Sequence, residues 1–380
     1  MQQTANILFF VTGCIVGTSY RVTNKLLSCR HLLTRLMSGN TEATKTIRFG
    51  AVSTPSGLSN ELIYAPPAVP QTTSASPVLV FFGGDVQNYP EVMAAHRDHK
   101  HYIEWSLTRT AALLATKFPA HHIFIVKPNR MERKTFSCFD NFVLSNSVGA
   151  PTHEPGYEAI VHLAALISRG LKIAQREWRN DNTYSSHHFS EGNNVGILPH
   201  PLFQSCQQDK EVPELQECTI EEASASSTHY FSNQKPNESE VKFDDVTLIG
   251  FSKGCVVLNQ LVTEFHAISS FRKLEDRVPM DFIRKVHHMY WLDGGHSGGS
   301  NTWITSSAIL KSFAALKHIN IHIHVTPYQV QDEHRPWIRK ECKKFYDTLH
   351  RIGAKVSYTL HFEDEPASLM THFRILNEFT

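Results

Sequence analysis

This chain has little that would suggest charge recognition, metal binding or cross-linking. Lysine and arginine number 37 against 36 acids, so the net charge is +1. Near-neutrality gives no electrostatic case for nucleic acid or for an anionic membrane surface. The seven cysteines, Cys14, Cys29, Cys138, Cys206, Cys218, Cys255 and Cys342, are odd in number, scattered and free of Cys-x-x-Cys pairs. That argues against a disulfide framework and a zinc module, and it fits a reducing compartment. The apolar run Ile7 to Val16 is too short to cross a bilayer, which takes about 20 residues. Acids are missing from the first 41 residues. With 41% hydrophobic residues in 380, however, the chain can bury a sizeable core as one large domain or two ordinary ones.

The acid-free start reads as a targeting segment, residues 1–45. A secretory signal would want a positive residue before its apolar run, and Met1 to Asn6 has none. Tyr20 to Met37 instead forms a basic amphipathic pattern. Leu26, Leu33 and Leu36 share a face, with Arg21, Lys25, Arg30 and Arg35 elsewhere. Mitochondrial import is the preferred route, with the secretory route and an N-terminal membrane anchor as alternatives. Membrane association is expected only through this segment.

Residues 46–380 read as an α/β domain. Thr46 to Val52 and Glu61 to Ala65 suggest a hairpin, and the solid apolar run Val78 to Phe82 suggests a buried parallel strand opening into Gly83-Gly84-Asp85. Ile103 to Phe118 is helical by spacing, Ile123 to Lys127 is the next strand, and Tyr157 to Ala174 is again helical. From about Arg176 to Lys242 periodicity gives way to Ser, Asn, Gln, Glu and His, so 177–242 reads as a disordered insertion. Strands at Val246 to Ile249, His288 to Leu292, Ile319 to Val325 and Lys355 to Phe362 then alternate with helices up to Leu369 to Phe379. Such alternation implies a mostly parallel sheet with helices on both faces.

Within this pattern, Gly250-Phe251-Ser252-Lys253-Gly254 follows a strand and precedes a helix. Strand, G-x-S-x-G, helix is the form of a nucleophile elbow. A serine in a tight, strained turn needs neighbours without Cβ atoms where strand and helix approach closely. Together with the strand order, the motif makes the fold α/β-hydrolase-like. In that order the acid and then the histidine follow the serine. His372, beyond the last strand, is the expected base. Asp332, in the loop after Ile319 to Val325, is the preferred acid, and Asp293, directly after the preceding strand, is the alternative. An oxyanion hole needs two backbone N–H donors. Lys253 is expected to supply one, and Gly84 or Asp85 the other.

Three further features carry weaker readings. The glycine-rich loop Gly294 to Ser300 lacks phosphate-loop spacing and reads as a pocket rim. His322 and His324 share a strand face, with no carboxylate at ligand spacing beside them. Cys255 reads as a small buried residue. No metal and no cofactor are expected. Lys253 and His296, if both reach the cleft, would favour an anionic acyl substrate.

The stretches FFGGDVQNYPEVM, FSCFDNFVLSN, TLIGFSKGCVVLNQL, MYWLDGGHSGGSNTW and HVTPYQVQDEHRPWI together resemble the vertebrate mitochondrial family known in humans as chromosome 2 open reading frame 69. The resemblance covers most of Val78 to Phe379 and is weakest in the polar insertion. It implies a hydrolase-like matrix protein supporting oxidative metabolism, with Ser252 as presumptive nucleophile and an N-terminal import segment. It does not choose between Asp332 and Asp293. Two functions follow from different classes. The preferred one is a serine hydrolase of the esterase, thioesterase or lipase type, acting on a small-molecule acyl substrate. The other is a catalytically silent hydrolase fold that serves as a binding or assembly factor, because fold alone does not imply chemistry.

Overall fold

β-Branched and aromatic residues dominate the segments that become the central sheet. A computed structural model describes residues 45–69, 77–187, 243–270 and 277–380, with side chains left out for 178–187. The eight sheet strands are β1 (Ile47–Ser53), β2 (Ser59–Ala65), β3 (Val78–Phe82), β4 (His122–Val126), β5 (Val246–Phe251), β6 (Val286–Leu292), β7 (Asn320–Val325) and β8 (Val356–Leu360). Their order across the sheet is β1-β2-β4-β3-β5-β6-β7-β8. β2 is antiparallel to both its neighbours, and every other pairing is parallel. This is the α/β-hydrolase arrangement. Every residue of β3 and of β5 is buried, as expected for strands covered on both faces. β8, at the edge, is largely exposed.

The helices are α1 (Pro90–Ala94), α2 (Leu107–Lys117), α3 (Ala159–His187), α4 (Cys255–Ser270), α5 (Arg277–Lys285), α6 (Ser307–Ala315), α7 (Pro327–Val330), α8 (Pro336–Arg351) and α9 (Leu369–Glu378). The helix expected over Ile103 to Phe118 is two pieces, a 3₁₀ segment His99–Trp105 and then α2. Ser106 breaks it with extended backbone, while Gln87 Nε2 donates to the Trp105 carbonyl and Leu107 N–H to the Asn88 carbonyl. α3 outruns the expected Ala174 and continues to His187. Residues Met1–Gly170 with Lys242–Thr380 form one compact unit, which holds the sheet, and Leu171–Val241 form another. Of the insertion expected to be disordered over 177–242, residues 177–187 are instead the end of α3. Its residues 188–242, and residues 1–44 of the expected targeting segment, lie outside the described residues.

Two features of the topology position the site. After β3 the chain turns to β4 on one side, whereas after β5 it turns to β6 on the other. The carboxyl ends of β3 and β5 therefore flank a topological switch point, where open α/β sheets bind ligands. α9 is the second feature. Ser368 and Thr371 form a reciprocal capping box at its start, each side chain taking the other's backbone N–H at 3.1 Å. The cap sets where the helix begins and so places His372 in its first turn. Phe373 then stacks on Tyr102 and Trp105 and packs against Phe251, which anchors α9 beside the elbow.

Candidate active site

Ser252 sits at the end of β5 with φ +53°, in the left-handed region that side chains other than glycine rarely adopt. The glycines on either side explain how this is tolerated. A Cβ on Gly250 would lie 2.8 Å from the Cys255 Cα, and one on Gly254 only 2.0 Å from the Phe82 carbonyl oxygen. Gly84 closes the opposite side, where a Cβ would lie 2.7 Å from the Ser252 Cβ. The elbow is thus wedged between β3 and its own helix. Ser252 is 8% exposed.

His372 reaches this elbow from α9. Its ring lies 4.7 Å, centroid to centroid, from Phe251 on one side and 4.8 Å from Tyr328 on the other. Nδ1 lies 2.6 Å from Asp293 Oδ2. A carboxylate can only accept, so Nδ1 carries the hydrogen, and in the neutral ring that tautomer leaves the lone pair on Nε2. Asp293, fully buried and with φ +49°, follows directly on β6. Its carboxylate also accepts the Thr326 N–H at 2.7 Å and the Thr326 hydroxyl at 2.5 Å. Three donors fix the carboxylate that orients the imidazole. Among the described residues the Ser252 hydroxyl makes no hydrogen bond. Catalytic links of this kind often close only when substrate is bound.

Asp332, the preferred acid from sequence, is not in this cluster. It accepts Arg335 Nε at 2.6 Å and the His334 N–H at 2.8 Å, and the Arg335 hydrogen bond holds its carboxyl below the usual range. The physical reason is α7, which occupies the chain just after β7 and carries Asp332 away from the His372 ring. That short helix supplies Tyr328 to the site instead. The carboxylate beside His372 is the alternative from sequence, Asp293.

Gly84 also departs from expectation. Its N–H donates to Gln87 Oε1 at 2.9 Å, so it is not free to hold an oxyanion. The candidate donors that remain are the N–H groups of Asp85 and Lys253. Gln87 is buried and donates in turn to the Trp105 carbonyl and the Thr110 hydroxyl. A lone glutamine three residues beyond a Gly-Gly pair gave no signal in the sequence.

The charges invoked for an anionic substrate are not presented to the cleft. Lys253 is wholly buried, with Nζ donating to the Val148 carbonyl at 2.8 Å and 3.6 Å from Asp85 Oδ1. His296 is buried and accepts the Gly298 N–H at Nδ1, and burial pushes its pKa down to about 4. It is therefore uncharged at neutral pH. Burial likewise pushes the Cys255 thiol up, which makes it unreactive. The loop carrying His296 is held from below by Glu341, whose carboxylate accepts the N–H groups of Asn301, Thr302 and Trp303. Among the described residues no group of three His, Cys, Asp or Glu side chains is placed to hold a metal ion, and no helix is long and apolar enough to cross a membrane.

Comparison with known proteins places these residues in a family. A family model described as C2orf69 matches residues 48–355. The chain is 40% identical over 301 residues to the Homo sapiens mitochondrial protein C2orf69, covering 79% of this chain and 74% of that protein. It is 38% identical to the Mus musculus homologue, covering 79% and 77%. Among solved structures, a thermostable esterase aligns with TM-score 0.39 at 12% identity, covering 87% of this chain and 60% of that one. The esterase Est22 aligns with TM-score 0.39 at 10% identity, covering 98% and 91%. The fold assignment rests on the strand order and the elbow described above.

Proposed function

This chain belongs to the C2orf69 family of mitochondrial proteins, and on that premise we propose that it is a serine hydrolase that cleaves an ester or thioester through an acyl-enzyme. One observation carries the reading. A buried Asp293–His372 pair packs on Phe251, the residue just before a serine held at positive φ. Ser252 attacks the acyl carbonyl while His372 Nε2 takes the hydroxyl proton. Asp293 holds the ring and stabilises the imidazolium. The N–H groups of Asp85 and Lys253 receive the oxyanion. Collapse breaks the acyl bond, and His372 returns the proton to the leaving alcohol or thiol. Water, deprotonated by the same imidazole, then releases the acid. The mitochondrial matrix, reached through the N-terminal segment, is the proposed site of action.

Turnover of a panel of short and long acyl esters and thioesters by the purified full chain tests this reading. Hydrolysis that Ser252→Ala lowers by about 10³-fold or more is expected. The second reading, a binding or assembly factor on a hydrolase fold, is favoured by the Gly84 N–H being taken by Gln87. It gains if the wild type does not exceed buffer on any member of the panel.

A further inference from the structure

The two residues whose backbone N–H groups form the proposed oxyanion hole lie on different elements. Asp85 is in the loop after β3, and Lys253 is at the entry to α4. Among the described residues no backbone hydrogen bond joins one to the other. Their side chains do meet, with Lys253 Nζ 3.6 Å from Asp85 Oδ1. We propose that the Asp85–Lys253 ion pair is a positioning device that fixes the spacing of the oxyanion hole, an inference that rests on the hydrolase reading.

The surroundings suit that role. Asp85 Oδ1 also accepts the Ser137 N–H at 2.8 Å, and Ser137 Oγ donates to the Gly84 carbonyl at 2.7 Å. Val86, at φ +75°, donates its N–H to the Thr135 carbonyl at 2.8 Å. The ribbon formed by Arg130–Glu132 and Phe136–Cys138 therefore grips the oxyanion loop at three consecutive residues. Lys253 ties the same ribbon region to the elbow. Its Nζ donates to the Val148 carbonyl at 2.8 Å and lies 5.7 Å from the Phe136 ring centre. Gly149, at φ +73°, leaves room for it, since a Cβ there would sit 3.3 Å from Nζ and 2.6 Å from the Ser137 carbonyl oxygen.

Stability alone does not account for the pair. A wholly buried lysine gives up its hydration, and replacing a buried ion pair by apolar residues is often neutral or stabilising. What the pair supplies is geometry. A hole made of two N–H groups loses effectiveness when their spacing drifts, because each donor must meet the developing charge at hydrogen-bond distance. The pair also cancels charge. An unpaired Asp85 carboxylate so close to the hole would oppose an oxyanion, and Lys253 neutralises it. Burial raises the Asp85 carboxyl above its usual range, and the Lys253 ammonium offsets only part of that rise.

The test compares wild type, Asp85→Asn, Lys253→Met and the double variant in the full chain. Thermal unfolding, the rate of inactivation by a fluorophosphonate, and kcat and KM on one ester are measured for each. Each single variant is expected to stay folded and to lose about 10- to 100-fold in inactivation rate and kcat with little change in KM. The double variant should regain thermal stability, because no unpaired charge remains buried, yet stay slow. Asp85→Asn is isosteric and keeps an acceptor for the Ser137 N–H, so it reports even if Lys253→Met fails to fold. A folded single variant within about twofold of wild type overturns the proposal, as does a double variant that recovers both stability and rate. A wild type that neither reacts nor turns over removes the hydrolase reading and this inference with it. An active wild type with indifferent variants removes this inference alone.

Discussion

His372 Nδ1 and Asp293 Oδ2 are 2.6 Å apart, although 79 residues separate them in sequence. The contact forms because β6 and α9 deliver the two side chains to the same end of the sheet. It also selects the acid for the proposed triad. Asp293→Asn should lower kcat by about 10³- to 10⁴-fold, because an amide at this position disfavours the imidazole tautomer that leaves Nε2 free. Asp332→Asn should stay within about threefold, with any loss arising from the released Arg335. Kinetics of both variants on one ester decide the matter, and the reverse ranking would return the acid to the later loop.

The elbow glycines make a stability prediction that is independent of catalysis. Gly254→Ala drives a Cβ to 2.0 Å from the Phe82 carbonyl oxygen. Neither backbone can yield without shifting β3 or α4, so a loss of about 3 kcal/mol or more is expected. Gly156→Ala, where nothing lies within 4 Å, should change stability by less than about 0.5 kcal/mol. Urea denaturation of the two variants checks this, and similar midpoints would contradict the packing described.

Buried histidines set the acid limb of stability. His162 is 2% exposed, bonded to Thr54 Oγ1 and Asn60 Oδ1, and burial pushes its pKa down to about 4. The unfolded chain binds a proton on this ring near its ordinary pKa of about 6.5, before the folded chain does. Its contribution is therefore complete above about pH 6.5 and falls away as pH drops toward 4. Between about pH 7 and pH 5 the wild type should lose stability. His162→Asn should reduce that difference by about 1–2 kcal/mol. An unchanged difference would mean that the ring is not held neutral.

Substrate charge provides a fourth check. Lys253 is paired inside the protein rather than extended to the cleft. On matched neutral and anionic esters, Lys253→Met should change kcat/KM by the same factor, within about twofold. A selective loss on the anionic ester would place the ammonium at the substrate after all.

Strands and elbow were legible because their signals are local. Val78–Phe82 and Val246–Phe251 are buried on both faces and so read as continuous apolar runs. The glycines around Ser252 reveal themselves through steric need at fixed spacing. The acid depended on something non-local. Both Asp293 and Asp332 follow a strand, and only the turn of α7 and the Thr326 donors separate their fates. The same holds for Gly84, whose N–H is occupied because Gln87 folds back on it. Lys253 read as a rim cation because sequence does not reveal which way a side chain leaves a helix entry. The two ribbons between β4 and α3 are too short and irregular to announce themselves. Yet Arg130–Glu132 with Phe136–Cys138 holds the oxyanion loop, and Val148, in the turn between Leu144–Ser145 and Pro151–Thr152, holds Lys253.

The most direct measurement is covalent labelling by a fluorophosphonate, read by intact mass and peptide mapping on wild type and Ser252→Ala. Only a serine activated by a neighbouring base reacts at a useful rate. The wild type should gain one phosphonyl group on the peptide carrying Ser252, and the variant, equally folded, should gain none. Equal labelling of the two proteins, or a wild type that stays unmodified, would contradict Ser252 as the nucleophile.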